Sequence, residues 1–524
     1  GIHTGASLAQ TNSGTINVMG SGTGILFENI DGSETNQTLD MSDSRGLVIN
    51  VEQAAGKGIV TNASTDLKTG VSVNVLDANG GEALIVGGTT KNVEQAGELT
   101  SKSTSHAVVN VDNGSLETFI NKGVIKALDA SQKAVEMLSG VGIAFTNAAG
   151  ASIVGQVNLM SGDNTVTLES GSTATDIQTG SGNDLYVLKD VKETETSLFT
   201  SLNGGDGEDT LQLNNAQYIL NRADAITGME HIDLTAGSVF TVNNVDYALG
   251  DSQNDATGTG YNIDATSTLT LNSDAALAFN SHLAGTGTVA VDASGNAFDF
   301  TSNNAADGFK GTLTLMNSTF ELAGLNTQAL SQATLNIGEG NVTHVGSGEQ
   351  NIGGLAFNGG TVSFDGVTPG QSSAAGTIHA GAMDLSGRGT VQVDTGTITN
   401  DRPLADTTLS LLEQDDAQSL IQLATSDTAV SGGAGNLTLT DSNGNIISDG
   451  VEAGISQNGE IVANGTYDYR LTGGENDDGL YISYGLTQVE LLASGDNALV
   501  LDANGKAGNA ADLSARVTGT GDLA

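Results

Sequence analysis

The sequence contains no cysteine and no tryptophan, and only 2 of its 524 residues are proline. Without cysteine the chain forms no disulfide and carries out no thiolate chemistry. Export is not excluded by this lack, because a chain that crosses a cell envelope unfolded gains from having no cross-links. Since glycine does not recur at every third position and proline is scarce, a collagen-like triple helix is excluded.

Basic residues are also scarce: 17 Lys and Arg stand against 61 Asp and Glu, which gives a formal net charge of -44. This charge repels phosphate backbones and anionic lipid headgroups, so we expect no nucleic-acid partner and no binding to a membrane surface. Cationic partners and divalent ions fit better. No apolar run of 18 or more residues predicts a transmembrane helix, and no signal-peptide pattern follows Gly1. We therefore expect a soluble segment that is either mature or excised from a longer chain.

What the chain does contain is glycine, 72 residues, and many short runs that alternate apolar and polar residues. Examples are TVTL at Thr165–Leu168 and HIDL at His231–Leu234. Each run is too short for a stable helix and is bounded by Gly, Asn, Asp or Ser, which favour turns. The pattern predicts an all-β protein of short strands joined by turns.

Repeats of between 20 and 26 residues predict how these strands are arranged. Val93, Phe119 and Phe145 open similar segments that follow one another every 26 residues. Farther along, four strand-ending leucines are separated by 20, 25 and 21 residues, namely Leu168, Leu188, Leu213 and Leu234. Irregular periods of this size are typical of one coil of a right-handed parallel β-helix, a solenoid.

Three regions are predicted along the chain. Residues 1–400 carry the β-helix pattern, 401–434 break it, and 435–524 are predicted to form a C-terminal β cap. Within the break, Thr408–Ala424 (TLSLLEQDDAQSLIQLA) has leucines that could support one short helix or a capping loop. Within the cap, Gly465–Leu492 is rich in tyrosine and in alternating strands joined by an acidic turn, ENDDG at Glu475–Gly479.

One stretch fits a calcium-binding pattern. NGGDGEDTLQL at Asn203–Leu213 matches the nonapeptide G-G-x-G-x-D-x-U-x, and TGSGNDLYVL at Thr179–Leu188 is a looser copy. The aspartates of the two copies, Asp184 and Asp209, are 25 residues apart, whereas a calcium-binding roll needs nonapeptides in direct succession. We interpret the copies as adjacent coil corners, and expect no cofactor. The alternative is one or two calcium sites, if Asp184 lies near Asp206 or Asp209 on the next coil.

Asn121 and Asn147 occupy equivalent positions of the repeat, 26 residues apart. Amide side chains that stack in this way form a ladder of hydrogen bonds along a solenoid. We expect these two residues to form a structural ladder that satisfies backbone groups.

Catalytic patterns are weak, and we expect no enzyme. GDSQND at Gly250–Asp255 lacks the glycine that follows the nucleophile in serine hydrolases. The six histidines are scattered, with no cysteine to complete a zinc site. Polysaccharide-active enzymes also use parallel β-helices, and paired carboxylates could act on such an acidic chain. Lyases of that fold, however, need a basic residue beside their metal, and few are present here.

Several segments resemble the passenger domains of monomeric autotransporters, in particular AIDA-type adhesins of enterobacteria. They are LAGTGTVAVD at Leu283–Asp292, LSGRGTVQVD at Leu385–Asp394, VTGTGDLA at Val517–Ala524 and FKGTLTLMNSTFEL at Phe309–Leu322. The resemblance implies a right-handed β-helix that is secreted through a C-terminal β-barrel in the outer membrane of a Gram-negative bacterium. It also implies that residues 435–524 are of the autochaperone type. This sequence departs from the family in ending at Ala524 without a barrel. We expect contact with a membrane only through such a barrel.

The expected function is therefore that of a surface-exposed bacterial adhesin, at the cell surface or released into the medium. Two contact modes are open: self-association between passengers, which causes cell aggregation and biofilm, and attachment to host matrix protein or glycan. The alternatives are a β-helix enzyme acting on polysaccharide, and a stalk that presents another module. Contact residues are not identified by the sequence.

Overall fold

A computed structural model describes residues 2–4, 8–28, 37–62, 65–137, 141–192, 198–247, 249, 260–301, 308–368, 371–395, 398–399, 419–448, 450–457, 459–500 and 515–523. The chain forms two compact units, Gly1–Thr270 and Leu271–Ala524. The division falls inside the strand Thr268–Asn272. It lies within the predicted 1–400 region, and the predicted boundaries at 400 and 434 remain predictions.

In the first unit, the chain passes repeatedly through three parallel sheets, which we call A, B and C. Sheet A has ten strands: Ile2–Thr4, Thr23–Glu28, Lys57–Asn62, Glu82–Val86, Val109–Val111, Lys133–Met137, Gln156–Asn158, Asp176–Gln178, Ser201–Asn203 and Ile226–Thr227. In this unit sheet B contains Leu8–Ala9, Gln37–Met41, Thr65–Thr69, Asn92–Gln95, Thr118–Asn121, Ala144–Asn147, Thr165–Glu169, Leu185–Lys189, Thr210–Asn214, His231–Thr235 and Gly260–Ile263. Sheet C contains Ser13–Val18, Gly46–Val51, Ser72–Val75, Glu98–Ser101, Val124–Lys126 and Ser152–Val154.

Later in the unit, Gln217–Leu220 pairs in parallel with Val239–Asn243, and a 3-10 turn spans Ala223–Ala225. Successive strands of each sheet come from successive coils, so the chain winds as a parallel β-helix. The predicted fold class is confirmed.

The register of sheet B confirms the repeat that the sequence predicted. Val93 pairs with Phe119, and Phe119 pairs with Phe145. The rings of Phe119 and Phe145 stack with centroids 5.4 Å apart. The leucines Leu168, Leu188, Leu213 and Leu234 also pair in sequence. These side chains are buried, so each coil adds one layer to a continuous apolar core.

The coils lie so close at one corner that only glycine fits. An added Cβ at Gly123 would stand 2.0 Å from the carbonyl oxygen of Gly97 on the preceding coil. At Gly97 it would stand 2.1 Å from the carbonyl oxygen of Val71. The glycine content of the chain is therefore used partly for close backbone stacking.

The second unit has two main parallel arrays. One contains Thr288–Asp292, Thr312–Met316, Thr334–Gly338, Gly348–Asn358 and Ser373–Leu385. The other contains Thr319–Leu322, Val342–Val345, Thr361–Phe364, Gly389–Val393 and Leu437–Asp441. Leu277–Phe279 pairs with Phe298–Phe300, and His282–Gly285 lies between them in sequence. A short helix spans Gly324–Ala329, and 3-10 turns span Ala434–Asn436 and Gly495–Asn497.

Towards the end of the chain, strand pairing becomes antiparallel. Ser419–Ser426 pairs with Gly479–Leu491, which pairs with Glu460–Thr472, which in turn pairs with Val451–Gln457. The predicted acidic turn joins Glu460–Thr472 to Gly479–Leu491 as a hairpin. Short strands complete this unit: Ile398–Thr399, Ser431–Gly432 and Arg516–Gly519. The tyrosines that marked this region pack in its interior, where Tyr467, Tyr469 and Tyr484 are buried. The described residues of 435–524 therefore include antiparallel β-structure, and their assignment as a separate cap remains a prediction.

The helix or capping loop predicted over Thr408–Ala424 is wrong where the structure describes it. Ser419–Ser426 is a strand, because it pairs in parallel with Ser373–Leu385 and antiparallel with Gly479–Leu491. Its alternate residues Ile421 and Leu423 are buried between these neighbours. Residues 408–418 lie outside the described residues. In the described parts of the chain, no helix has the length and apolarity needed to cross a bilayer.

Candidate functional site: a column of buried carboxylates

The two calcium-like motifs form stacked corners of the first unit. Each corner links a strand of sheet A to the next strand of sheet B: residues 179–184 follow Asp176–Gln178, and residues 204–209 follow Ser201–Asn203. The corner at 159–164 precedes them, and Gly228–Glu230 follows. Their backbones are joined by parallel bridges from Ser161 to Ser181 and from Ser181 to Asp206. The motifs are therefore equivalent turns on successive coils, as interpreted from the sequence.

The last residue of each corner points inward and accepts a hydrogen bond from a neighbouring coil. The backbone N–H of Asn164 donates to Asp184 Oδ1 at 2.7 Å. In the same way the N–H of Asp184 donates to Asp209 Oδ1, and that of Asp209 to Glu230 Oε2, both at 2.7 Å. We call Asp184, Asp209 and Glu230 the carboxylate column. Asn164 stands at its start and connects it to the N–H of Ile143.

The column is buried and incompletely paired. Asp184, Asp209 and Glu230 are 2%, 0% and 2% exposed. In Asp184 and in Asp209, the second oxygen, Oδ2, is buried without a hydrogen-bond partner. A buried polar atom without a partner costs about 1–3 kcal/mol, and more when it is charged. The column as it stands is therefore acceptor-rich and lacks donors.

Charge adds to this cost. Adjacent strands lie about 4.8 Å apart, and two unit charges at that distance repel by about 3 kcal/mol at an effective dielectric of 20. The corner residues 159–164, 179–184, 203–209 and 228–230 include no Lys or Arg. Burial raises the pKa of Asp209 to about 7, and the charges of Asp184 and Glu230 add to the rise, although the N–H of Asp184 opposes it. A proton or a cation is needed to balance the column.

Tyr186 closes the inner side of the corner. Its hydroxyl donates to the carbonyl oxygen of Asn203 at 2.8 Å and lies 3.2 Å from Thr179 Oγ1. Burial raises the pKa of Tyr186, and the charges of Asp184 and Asp209 also raise it. Tyr186 therefore stays neutral and acts as a hydrogen-bond donor.

The corners at Thr179 and Gly204 are equivalent but differ in one group. Thr179 Oγ1 donates to the carbonyl oxygen of Gly204 on the next coil at 2.8 Å. Gly204 has no hydroxyl to offer to its own next coil. An added Cβ at Gly204 would stand 2.0 Å from the carbonyl oxygen of Gly228 and 2.5 Å from Asp209 Oδ2. Both oxygens therefore lie close to the α-carbon of Gly204. At the equivalent position on the preceding coil, Thr179 carries a side chain.

The structure brings together two of the three aspartates singled out in the sequence. Asp184 and Asp209 are stacked neighbours in the column. Asp206 is exposed at the outside of the corner, where its backbone bridges Ser181. Sequence reasoning missed Glu230 and Asn164. Both could have been found from the four aligned leucines, because each column position lies four residues before its leucine.

Metal binding remains a prediction. Among the described residues, no group of three or more His, Cys, Asp and Glu side chains is placed to hold a metal ion. GDSQND at Gly250–Asp255 lies outside the residues that the structure describes.

The predicted asparagine ladder lies at the other end of the sheet B strands. Asn121 and Asn147 are both 0% exposed, and Asn121 Nδ2 donates to Asn147 Oδ1 at 2.9 Å. Asn147 Nδ2 donates to the carbonyl oxygen of Thr173, and Asn121 Oδ1 accepts from the N–H of Gly123. Gln95 stands at the equivalent position one coil earlier and bonds to Gly97 in both directions. We call Gln95, Asn121 and Asn147 the amide column.

A further row of amides faces outward on sheet C. Asn50 Nδ2 donates to Asn17 Oδ1 at 3.0 Å, Asn74 Nδ2 donates to Asn50 Oδ1 at 3.2 Å, and Thr100 Oγ1 donates to Asn74 Oδ1 at 2.9 Å. We call these four residues the outer row. Sheet B carries a shorter row of the same kind at Asp66, Asn92 and Thr118.

Fold and sites together define a parallel β-helix protein with buried polar columns and outward polar rows. Two proteins of Escherichia coli K12 match part of the chain. The uncharacterized protein YuaQ is 46% identical over 249 residues, 47% of this chain and 18% of YuaQ. The uncharacterized lipoprotein YdeK is 38% identical over 253 residues, 45% of this chain and 19% of YdeK. The matched part of the chain thus spans about a fifth of the length of either relative. No family model and no solved structure matches the chain.

Proposed function

We propose that this chain is part of the passenger of a surface-exposed bacterial adhesin, and that contact between copies of its β-helix causes cell aggregation and biofilm formation. The resemblance to AIDA-type passengers supports the passenger assignment, and the parallel β-helix is the fold which that resemblance implies. The relative that is named a lipoprotein supports a location in the cell envelope. The observation that carries self-association is the outer row on sheet C.

The outer face of sheet C bears few charges along its first four coils. Only Glu98 is charged among the eight outward residues, Thr15, Asn17, Val48, Asn50, Ser72, Asn74, Glu98 and Thr100. The outward face of sheet B over four coils has four charged residues among the eight, which are Thr38, Asp40, Asp66, Lys68, Asn92, Glu94, Thr118 and Ile120. Of these two faces, sheet C is therefore the one on which two strongly acidic chains approach with less local repulsion.

Amide and hydroxyl groups on this face suit contact with a second copy of the same face. Each amide carries both donors and acceptors, so a row opposed to its own copy by a two-fold axis finds complementary groups. The rigid register within the row reduces the entropy that its side chains lose on contact, because the row is already hydrogen-bonded within one copy.

Aggregation of cells tests the proposal directly. The parent protein is displayed on cells that do not otherwise aggregate, and settling is followed at several cell densities. We expect settling that rises with density, and its loss in the variant N17D/N50D/N74D, which places three charges in the outer row. The matched control T146D/T167D/Q212D places three charges on the outward face of sheet B, and it should settle like the parent.

Equal loss of settling in both variants would show that added charge alone prevents contact, and would contradict a role for sheet C. Adhesion only to surfaces coated with matrix protein or glycan, without settling, would favour the host-attachment mode instead.

Ionic strength gives a second test on the purified chain. Copies that each carry a net charge of -44 repel one another at long range, and salt above about 0.1 M screens this repulsion. We expect sedimentation velocity to show more self-association in 150 mM than in 10 mM NaCl. Equally strong association at the lower concentration would contradict the electrostatic part of the proposal.

A further inference from the structure

We propose that Asp209 is a neutral carboxylic acid in the folded chain, that its Oδ2–H donates a hydrogen bond to the next coil, and that loss of this proton loosens the corner at 203–209. The inference is independent of the adhesin proposal, since it concerns the interior of the first unit. Its starting point is the pair of buried Oδ2 atoms without hydrogen-bond partners in Asp184 and Asp209. Asp209 has no exposed surface, so solvent does not hydrate its carboxyl group.

Asn164 shows which hydrogen bonds a proton completes at this position of the repeat. Its Oδ1 accepts from the N–H of Ile143 on the preceding coil, as the Oδ1 atoms of Asp184 and Asp209 accept from theirs. Its second group is a donor, since Nδ2 bonds to the carbonyl oxygen of Gly162 at 2.7 Å and to Asp184 Oδ1 at 3.0 Å. A protonated carboxyl group also combines an acceptor oxygen with a donor. An aspartate here is therefore fully hydrogen-bonded only when Oδ2 carries a proton.

The acceptor for the Oδ2–H of Asp209 lies beside Gly204. At the equivalent position of the preceding corner, Thr179 donates its hydroxyl to the carbonyl oxygen of Gly204 at 2.8 Å. Gly204 has no hydroxyl to donate to the carbonyl oxygen of Gly228. That oxygen and Asp209 Oδ2 stand 2.0 Å and 2.5 Å from the point where a Cβ of Gly204 would lie, so they are close neighbours. A proton on Oδ2 turns this contact between two acceptors into a hydrogen bond, in place of the missing threonine hydroxyl.

The hydrogen bonds along the column place the proton on Asp209 rather than on Asp184. Asp184 Oδ1 accepts two hydrogen bonds from Asn164, from its N–H at 2.7 Å and from its Nδ2 at 3.0 Å. Asp209 Oδ1 accepts from the N–H of Asp184, and this residue offers no second donor to it. Because hydrogen bonds donated to a carboxylate favour its charged form, the residue with fewer donors takes the proton.

Asp209 also lies among other acidic side chains. Asp184 faces it from the preceding coil, Glu230 faces it from the next, and Glu208 is adjacent in the chain. The ring of His231 bonds to Glu208 at 3.3 Å on the exposed side of the corner. Burial raises the pKa of Asp209 to about 7, and the three negative charges add to the rise, although the N–H of Asp184 opposes it.

The strands beside the corner offer no cation in place of the proton. Tyr186 packs against the corner from sheet B and is neutral, because burial raises its pKa. Among the described residues of the neighbouring strands, Lys189 is the one fixed cation, and it pairs with Glu169 at the far end of its strand. On sheet A, Asp176 bonds to Ser201 Oγ. A rise in pH through 7 therefore leaves stacked carboxylates without a donor, and we expect the coils to separate here first.

Hydrogen exchange of the whole 524-residue chain, read by mass spectrometry of peptides, tests this local opening. The wild type is compared with Asp209→Asn in EDTA at each pH, which cancels the intrinsic pH dependence of exchange. In the variant, Nδ2 supplies the donor at every pH, as Asn164 does. We expect equal exchange of residues 179–186 and 203–211 in both proteins at pH 5.5. At pH 8.5 the wild type should exchange at least about tenfold faster there, and equally at the amide column.

Asp163→Asn is the matched control. Asp163 is exposed and accepts a hydrogen bond from the N–H of Asn183, at the corner where the column position is already an amide. Its replacement removes one carboxylate without touching Asp209, so this variant should exchange like the wild type at both pH values.

Infrared spectroscopy detects the proton itself and keeps the test open if Asp209→Asn does not fold. Ordinary Asp and Glu side chains are ionised at pH 6, so a carboxylic-acid C=O band at this pH reports a retained proton. We expect such a band in the wild type and in Asp163→Asn, lost with a midpoint near pH 7, and absent from Asp209→Asn.

Three results would overturn the assignment. A folded wild type without the acid band at pH 6 would mean that Asp209 is ionised. A band that persists in Asp209→Asn would place the proton on another residue. Exchange at the corner that differs between wild type and Asp209→Asn by the same factor at pH 5.5 and pH 8.5 would mean that no proton is lost between them.

Discussion

Two buried polar columns flank the strands of sheet B, and they solve the same problem with different groups. The amide column of Gln95, Asn121 and Asn147 lies after the strands, and the carboxylate column of Asp184, Asp209 and Glu230 lies before them. An amide both donates and accepts, so Asn121 and Asn147 bond to each other and to the backbone of the next turn. A carboxylate only accepts, so Asp184 and Asp209 each keep an oxygen without a partner.

This difference shows why stacked amides satisfy one another's hydrogen-bonding groups, whereas stacked carboxylates do not. Each amide layer adds hydrogen bonds without adding charge. Each carboxylate layer adds a charge about 4.8 Å from the last, at a cost of about 3 kcal/mol at an effective dielectric of 20. The amide column is therefore a structural device that satisfies its own hydrogen-bonding groups, whereas the carboxylate column keeps two buried oxygens without partners.

Breaking the amide column should have the largest effect. Asn121→Leu leaves the half-buried N–H of Gly123 and the buried Oδ1 of Asn147 without these partners. At about 2 kcal/mol for each group, we expect a loss of about 4 kcal/mol in the free energy of unfolding. Urea denaturation measures it, with and without calcium. The loss should be the same in both conditions, and a loss that calcium abolishes would contradict the distinction between the columns.

The carboxylate column should respond to pH in cation-free buffer. The pKa of Asp209 is raised to about 7 in the folded state, above its unfolded value of 3.8, so the folded state binds this proton more tightly. Its favourable contribution is complete below pH 4 and is lost as the pH rises to 7. Relative to Asp209→Asn, the wild type should lose about 3 kcal/mol between pH 5 and pH 8.

Urea denaturation of both proteins in EDTA measures this difference. The comparison with Asp209→Asn cancels the titration of carboxylates away from the column, which are common to both proteins. A difference that does not change with pH would show that Asp209 is ionised throughout this range.

The smallest effect is expected on the outer row. Asn50→Ala removes hydrogen bonds to Asn17 and Asn74 that water replaces, because the row faces outward. We expect a change of less than about 0.5 kcal/mol in the free energy of unfolding. A loss as large as that of Asn121→Leu would mean that outward amides stabilise the fold as much as buried ones.

Much of the first unit was predictable from spacing. The 26-residue repeat from Val93 to Phe145 and the four aligned leucines predicted which residues pair across coils, because one coil must return each side chain to the same face. The same alignment contained Glu230 and Asn164. They occupy the same repeat position as Asp184 and Asp209 but are not aspartates, so a search for repeated aspartates did not find them. The strand Ser419–Ser426 was not predictable in this way. Its leucines fit a helix locally, and only pairing with Ser373–Leu385 and Gly479–Leu491 makes it extended.

Composition and periodicity were enough to establish an acidic all-β solenoid, because alternation of apolar residues and glycine-bounded turns are local properties of the chain. Stacking of the coils decided which polar residues are buried together. Asp206 and Asp209 are three residues apart and both acidic, yet one faces solvent and the other has no exposed surface. The direction and the neighbours of a side chain at a corner depend on the coils on either side. A carboxylate that is hydrated in an isolated turn becomes buried only when the next coil covers it.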